Sequence, residues 1–232
     1  MIGLLKKIYN KLHIIQNIYI KNKFFLNKKT YAMEGEDLEI VKILKNINNG
    51  FYVDAGGYHP IDRNNTYLLY KRNWRGINID LSKFSIDLFN FTRPLDININ
   101  VAVTNNDGYE TFYYQKQLSQ LTTIKKNIAN QRMQGNIKEK KIKSEKLTTI
   151  INNTKYKNRK IDFLNIDLEG ADFDALQSLN FEIYRPKLIC VEIYDENIER
   201  SDINVFLKKL NYSKQWSATY SHLYTDDFVD FN

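Results

Sequence analysis

Asp54 and Asp80 bracket the part of this chain whose residue types and spacing point most directly to ligand chemistry. The run Phe51-Tyr52-Val53-Asp54-Ala55 enters Gly56-Gly57-Tyr58-His59-Pro60, and a second apolar run, Trp74-Arg75-Gly76-Ile77-Asn78-Ile79-Asp80, closes on a carboxylate. This order reads as strand, glycine turn, helix, strand. Glycines at such a turn permit φ > 0 and let another group approach the backbone closely. A carboxylate closing the next strand can accept hydrogen bonds from both ribose hydroxyls, and Asp80 follows Asp54 by 26 positions, room for one helix and one strand. The pattern predicts a nucleoside site; an ordinary glycine turn without a ligand is the competing interpretation. Because the turn lacks G-x-G-x-x-G, a cofactor that presents a pyrophosphate to a helix N-terminus is disfavoured, and S-adenosylmethionine fits better.

A second set of titratable residues lies further on. Asp167 ends the apolar run that begins near Ile161, Glu169 follows two positions later, and Glu192 interrupts Leu188–Ile193. A carboxylate at the carboxyl edge of an α/β sheet lies where ligands gather and can take a proton from a reacting hydroxyl. Burying an unpaired carboxylate is costly, so Glu192 is expected to have a partner or to face a cleft. His59, beside the glycine turn, titrates in a range that suits a general base. Each has a structural alternative: Glu169 as a helix cap, Glu192 in a buried ion pair, His59 as turn filling.

The elements that must position these groups follow from periodicity. Asp37–Asn46 is predicted as a helix, Phe51–Asp54 as the first strand, Asn65–Lys71 as a helix, Gly76–Asp80 as the second strand and Ile97–Thr104 as the third. Tyr109–Tyr114 alternates as an added strand, whereas Lys160–Asp167 is nearly continuously apolar and reads as the fourth main strand. A helix over Asp172–Leu179 leads to a strand at Lys187–Tyr194, then a helix at Ile203–Leu210 and a hairpin of Tyr212–Trp216 with Ser221–Tyr224. This alternation predicts an α/β fold, a doubly wound and mostly parallel sheet closed by a C-terminal antiparallel hairpin.

The 232 residues, 43% hydrophobic and 13% aromatic, suffice for one domain with a substantial core. The lone cysteine, Cys190, lies in an apolar run and reads as core filling in a reducing, cytoplasmic compartment. The net charge of +7 is uneven: residues 1–29 hold seven lysines and no acid, leaving 27 basic against 27 acidic residues elsewhere. In that leader Ile2, Leu5, Ile8, Leu12, Ile15 and Tyr19 recur at steps of three and four, predicting a basic amphipathic helix over 1–29 ahead of a main domain at 30–232. Its uncharged run is too short to span a bilayer and no cleavage site follows it. It is expected either to dock on an anionic membrane surface or partner, or to pack on its own domain or a second copy. Residues 125–146 carry eight basic side chains against Glu139 and Glu145 and read as a solvated insertion or mobile lid. There Arg132, Lys138 and Lys140 are candidates to meet a nucleotide-linked diphosphate.

Several blocks in order, over about residues 34–195, resemble the FkbM family of S-adenosylmethionine-dependent methyltransferases. They are Gly35-Glu36-Asp37, the glycine turn, Asn65-Thr66-Tyr67-Leu68-Leu69-Tyr70, Trp74–Asp80, Arg93-Pro94-Leu95-Asp96, and Ile161–Gly170 with its Asp167-Leu168-Glu169-Gly170. One departure is Asn64, which replaces the Ser of a Ser-Asn-Thr triplet. The resemblance implies a class I, Rossmann-like methyltransferase that most often methylates a hydroxyl of a sugar or small metabolite. It further implies that Asp54, Ala55, Gly56, Gly57 and Tyr58 surround the cofactor's methionine portion and that Asp80, with Leu81, holds the ribose. Asp96 through Val101 and Ala102 would approach the adenine, and Glu36 would reach the amino end. Asp167, Glu169, Glu192 and His59 remain the acceptor-side candidates.

The expected activity is O-methylation of a sugar or nucleotide-linked sugar, in surface polysaccharide biosynthesis. An RNA or protein methyltransferase, a nucleotide-binding oxidoreductase and a non-catalytic binding module compete with it. Nucleic acid is not an expected partner, because the excess charge sits in the leader and no motif for flipped-base amino groups is present. No His/Cys cluster stands at metal-ligand spacing, so no metal is expected, although carboxylates alone could hold Mg²⁺.

Overall fold

The structure, a computed structural model, describes residues 2–231, with the side chain of Ile2 excluded. The strands are β1 (Phe51–Ala55), β2 (Arg75–Asp80), β3 (Ile97–Asn100), β4 (Ala102–Val103), β5 (Gly108–Tyr114), β6 (Lys138–Glu145), β7 (Phe163–Ile166), β8 (Leu188–Glu192), β9 (Tyr212–Ser217) and β10 (Ser221–Asp226). The helices are α1 (Ile2–Ile15), continued by a π-helical turn at Gln16–Lys21, then α2 (Glu36–Ile43), α3 (Tyr67–Lys71), α4 (Lys83–Thr92), α5 (Lys126–Arg132), α6 (Leu147–Asn152), α7 (Asp172–Gln177), α8 (Phe181–Tyr184) and α9 (Asp202–Lys209).

Seven strands form one sheet in the order β3-β2-β1-β7-β8-β10-β9. The first five are parallel, whereas β10 runs antiparallel to both β8 and β9. This is the doubly wound sheet with a closing hairpin that the periodicity predicts. A crossing of order between β1 and β7 places the carboxyl ends of β1, β2, β7 and β8 around one crevice, the switch point at which such sheets bind ligands. Both faces are covered, which is why these strands are almost continuously apolar. Phe51, Val53, Ala55, Leu164 and Ile189 pack on one side with α6, α7 and α9. Tyr52, Phe163, Leu188 and Cys190 pack on the other with α2, α3 and Trp74. Cys190 is a free, buried thiol.

One expectation is corrected. The third strand is not continuous over Ile97–Thr104: it leaves the main sheet after Asn100, whose amide donates to the carbonyls of Asp80 (2.9 Å) and Leu81 (2.8 Å). Ala102–Val103 then joins a second sheet, β4-β6-β5. Residues 125–146, expected as a solvated insertion or mobile lid, are mostly exposed but carry regular structure. They contain α5 and β6, and β6 pairs along its length with β5, from Gly108 opposite Ser144 to Tyr114 opposite Lys138. The strand is held by backbone hydrogen bonds while its first four side chains stay exposed, so hydropathy does not mark it.

A buried polar network anchors the turn after β1. Arg93, fully buried at the end of α4, donates to Thr66 Oγ1 (2.8 Å), to Asn64 Oδ1 (2.6 Å) and to the Pro60 carbonyl. Thr66 Oγ1 in turn donates to Asp54 Oδ2 (2.7 Å), and the Asn64 amide donates to the same carboxylate (3.2 Å) and to Gly57 O (3.2 Å). Asn165 closes the network from β7 on Asp54 Oδ1 (2.9 Å). Burial raises the Asp54 carboxyl from its usual range, and these donors with the Arg93 charge oppose that shift. Replacing Arg93 by Met leaves Asp54 an uncompensated buried charge, so Arg93→Met is expected to lose about 3–5 kcal/mol of folding stability in chemical denaturation. A loss below about 1 kcal/mol, the scale of one net hydrogen bond, would contradict this anchoring role.

Candidate functional site

Two clefts open at the carboxyl edge of the sheet. The smaller, about 40 Å³, is lined by Gly56, Tyr58, Asp80, Leu81, Asp167 and Glu169, and is covered by a strap that includes Ser119, Gln120 and Thr122. The larger, about 420 Å³, is lined by Glu36, Arg132, Glu192, Tyr194 and Tyr220, and it also includes Gln120, Asp167 and Glu169. The two therefore meet at the end of β7.

Asp80 sits where β2 ends, and each of its oxygens already accepts one backbone N–H: Oδ1 from Ser82 (2.6 Å) and Oδ2 from Tyr58 (2.9 Å). A carboxylate has about four lone-pair sites, so capacity remains for a diol donated from the cleft. Burial, resisted by those two N–H donors, pushes Asp80 up to about 7. This donor set fits the ribose of a nucleoside. The strap narrows the space to far below the ~300 Å³ of an ordinary ligand pocket. It is tied down by Arg63 donating to Gln120, by Ser82 donating to the Gln117 carbonyl, and by Thr123 Oγ1 donating to Glu169 O (2.8 Å).

The other cofactor candidates divide by position. Gly56 (φ +89°) lines the small cleft, but a Cβ on it would meet the Asp167 carbonyl oxygen at 1.7 Å. Glycine is required there because the chain leaving β7 passes so close. Gly57 is buried against the Phe89 ring, where a Cβ would come within 2.8 Å. Tyr58 (φ +49°) lines the cleft, while Ala55 and Asp54 are buried behind it, Asp54 with both oxygens engaged by protein donors. Asp96 is a correction: it precedes β3 and accepts from Tyr52 Oη (2.5 Å), Gly76 N (3.0 Å) and Asn78 Nδ2 (3.1 Å). Gly76 lies four residues before Asp80, so Asp96 stands ~13 Å away at the opposite edge of the sheet and braces β2. Val101 and Ala102 lie past the carboxyl end of β3 but are buried and line neither cleft. Glu36 lines the larger cleft, at the start of α2, and accepts from Glu34 N (2.7 Å).

On the acceptor side, Asp167, Glu169 and Glu192 converge, one oxygen from each lying within 4.8 Å of the others. They reach this point because β7 and β8 are adjacent parallel strands. The turn after β7 uses two successive left-handed residues, Glu169 (φ +50°) and Gly170 (φ +93°). A left-handed non-glycine costs roughly 1 kcal/mol or more, and here it aims the carboxylate at the cleft. Glu169 does not cap the following helix. The helix has no side-chain cap; Asp172, in its first turn, instead ties the preceding turn by accepting from Leu168 N (2.8 Å) and Gly170 N (3.0 Å). Burial and the neighbouring charges of Glu192 and Glu169 hold Asp167 well above the carboxylate range. Burial and Glu192 raise Glu169 to about 7, against the opposing Arg132 guanidinium paired with it. Glu169 therefore keeps part of its proton near neutral pH.

His59 is a second correction. It is 1% exposed, its Nδ1 accepts from Ile61 N (3.1 Å) and Asp62 N (3.0 Å), and its Nε2 lies 3.0 Å from Asn22 Nδ2. Burial and the Arg93 charge lower it to about 3. With both nitrogens occupied and neither cleft beside it, His59 is a tie between the glycine turn and the N-terminal segment. Lys138 and Lys140 also line neither of these clefts; of the basic trio only Arg132 does, its guanidinium 4.0 Å from the Tyr194 ring centroid. Sequence reasoning missed Tyr194, Tyr220 and Gln120. Tyr220 had a faint signal, an aromatic at a polar hairpin turn, whereas Gln120 sits in a featureless polar stretch.

The Asp80 shift gives a pH signature. Its folded value lies above the unfolded one, so the folded state keeps a proton the unfolded state has released between about pH 4 and 7. Stability from this group therefore falls as pH rises through that window. Asp80→Asn removes the titration. In denaturation series, the difference between variant and wild type is expected to move in the variant's favour by about 1–3 kcal/mol from pH ~4 to ~8. A gap independent of pH would show that Asp80 is not raised.

Comparison with known proteins agrees with this geometry. The Methyltransferase FkbM domain family matches residues 54–214, more than two-thirds of the chain. No curated protein sequence matches. Among solved structures the chain is similar to a TehB-like SAM-dependent methyltransferase from Corynebacterium glutamicum, at TM-score 0.45 and 9% identity over 94% of this chain and 97% of that one. It is also similar to M. capricolum TrmK in complex with S-adenosylhomocysteine, at TM-score 0.39 and 13% identity over 82% and 68% of the respective chains. With the class I strand order and a carboxylate closing β2, the chain belongs to the FkbM methyltransferase family and is an S-adenosylmethionine-dependent methyltransferase.

Proposed function

We propose that this enzyme methylates a hydroxyl of a small, sugar-like acceptor held in the larger cleft, with Asp167 as the base. The observation that carries this is the junction of the two clefts at Asp167 and Glu169. Bound S-adenosylmethionine supplies a methyl group already activated on a sulfonium. The protein's tasks are then to hold the donor, align an oxygen in line with it, and take up the hydroxyl proton.

Asp80 holds the ribose diol with its remaining lone pairs, and Gly56 and Tyr58 flank the methionine portion from the turn. Asp167, at the junction, accepts the proton from the acceptor hydroxyl, and Glu169 and Glu192 raise its basicity by like-charge repulsion. Arg132 offsets part of that charge and stays fixed between Glu169 and the Tyr194 ring.

The cleft's chemistry favours a sugar. Tyr194 and Tyr220 stand with ring centroids 4.8 Å apart, apolar faces for a pyranose, and Glu34, Glu36 and Glu192 are acceptors for its hydroxyls. The same acids disfavour an RNA backbone, and they leave a nucleotide's diphosphate only the already paired Arg132. A free or glycan-borne sugar is therefore preferred to a nucleotide-linked one. Surface polysaccharide, the destination suggested by the family resemblance, supplies such sugars.

The test is a mass screen of glycan and monosaccharide acceptors for a methyl gain, with RNA as the contrasting substrate. On an acceptor found this way, Asp167→Asn is expected to lower kcat by about 10²–10⁴-fold while S-adenosylmethionine affinity changes less than about threefold. The wild-type rate rises with pH as Asp167, held above the ordinary carboxylate range by burial and its acidic neighbours, loses its proton. Tyr220→Ala is expected to raise the acceptor KM about tenfold with kcat little changed, the loss of one aromatic face. Turnover by Asp167→Asn near the wild-type rate, or methylation of RNA alone, would contradict the proposal.

A further inference from the structure

The N-terminal helix is turned outside in relation to what its sequence pattern suggests. Residues 3–12 are exposed on every side, so most of α1 stands off the body. It docks only near its end, where the His13 ring stacks on Phe84 at 4.4 Å and Ile14 and Ile18 pack with Tyr31, Tyr67 and Leu88. At about 100° per residue, His13 and Ile14 lie on one side of the helix. Leu4, Leu5, Ile8, Tyr9, Leu12 and Ile15 fall in an arc of roughly 140° on the other. Those six are 43–65% exposed, and Tyr19, Ile20, Phe25 and Leu26 extend the apolar surface at 40–68%. Burying the arc against the body is ruled out by the docking contacts themselves, because they hold the opposite side inward.

The charges say what covers the arc. Lys11 borders it, Lys6 and Lys7 stand toward the opposite side, Lys21, Lys23, Lys28 and Lys29 follow, and no acid precedes Glu34. Two copies joined through the arc would bring together two segments that each hold seven lysines and no acid, a repulsive arrangement. An anionic lipid surface complements both features at once: the apolar arc enters the acyl boundary and the lysines meet the headgroups. Among the described residues no helix is long and apolar enough to cross a membrane, so the orientation is in plane.

We infer that α1 and the segment through Leu26 form a peripheral docking surface for an anionic membrane, independent of which acceptor the enzyme takes. Asn10 of α1 lines a cavity of about 190 Å³ together with Ser82, Lys83, Gln117 and Thr122. Docking therefore holds the strap side of the cofactor cleft close to the lipid.

Co-sedimentation of the full chain with vesicles tests this. Phosphatidylcholine vesicles containing about one-third phosphatidylglycerol are expected to bind at least about tenfold more strongly than phosphatidylcholine alone, and ~0.5 M salt to weaken that binding. Leu5→Glu with Leu12→Glu, and separately Lys6→Glu with Lys7→Glu and Lys11→Glu, are each expected to lower vesicle affinity at least about tenfold. Both variants should bind S-adenosylmethionine as the wild type does, since these side chains stand off the body. Equal partition to neutral and anionic vesicles, no partition at all, or wild-type affinity in either variant overturns the inference. So does a lipid-free dimer in sedimentation velocity that Leu5→Glu with Leu12→Glu dissolves.

Discussion

Two opposite charges with no exposed surface, Asp54 in the first strand and Arg93 at the end of α4, set the geometry on which the cofactor cleft depends. They do not touch. Asn64 and Thr66 stand between them, each bonded to both, so the loop from Gly57 to Thr66 is stitched to α4 and to β1 at the same time. Burying such charges is costly unless every partner is in place. The loop consequently has one arrangement, and that arrangement presents Tyr58 N to Asp80. The cleft is thus positioned by a network whose members line neither cleft.

At the other side of the crevice the logic is reversed. Asp167, Glu169 and Glu192 are brought together without matching cations, and Arg132 is the basic side chain that lines their cleft. Crowded carboxylates in a partly buried site hold protons to higher pH than exposed ones. Raised carboxyl groups result from placement alone, with no histidine beside them in the cleft. The folded state carries the electrostatic cost, and the left-handed Glu169 adds backbone strain at the same turn. Concentrating cost where chemistry would occur, over a sheet whose core is largely apolar, is the usual division of labour in a folded enzyme.

The sheet was legible because parallel strands must be apolar on both faces, and that leaves an unmistakable trace in runs such as Leu188–Val191. The glycine turn was legible as a turn, but its reason was not: Gly56 is needed for the Asp167 carbonyl, a residue 111 positions away, and no local pattern encodes a long-range approach. Asp96 and Asp80 look alike in sequence, each beside an apolar strand. One precedes its strand and the other ends it, which puts them at opposite edges of the sheet. The β6 strand was hidden because backbone pairing, not side-chain burial, holds it. The N-terminal helix was legible as amphipathic, but which of its sides meets the body was not.

The sequence by itself determined the fold class, the family and the identity of the acidic residues, because strand hydropathy, turn glycines and motif order are local properties of the chain. Tertiary structure alone decided which acids meet, since the separation of Asp167 from Glu192 collapses only when β7 and β8 pair. It likewise decided that His59 is buried with both nitrogens occupied and that the lysines of β6 stand apart from the larger cleft. Proton affinity and charge complementarity depend on distance and burial, and neither exists until the chain has closed on itself.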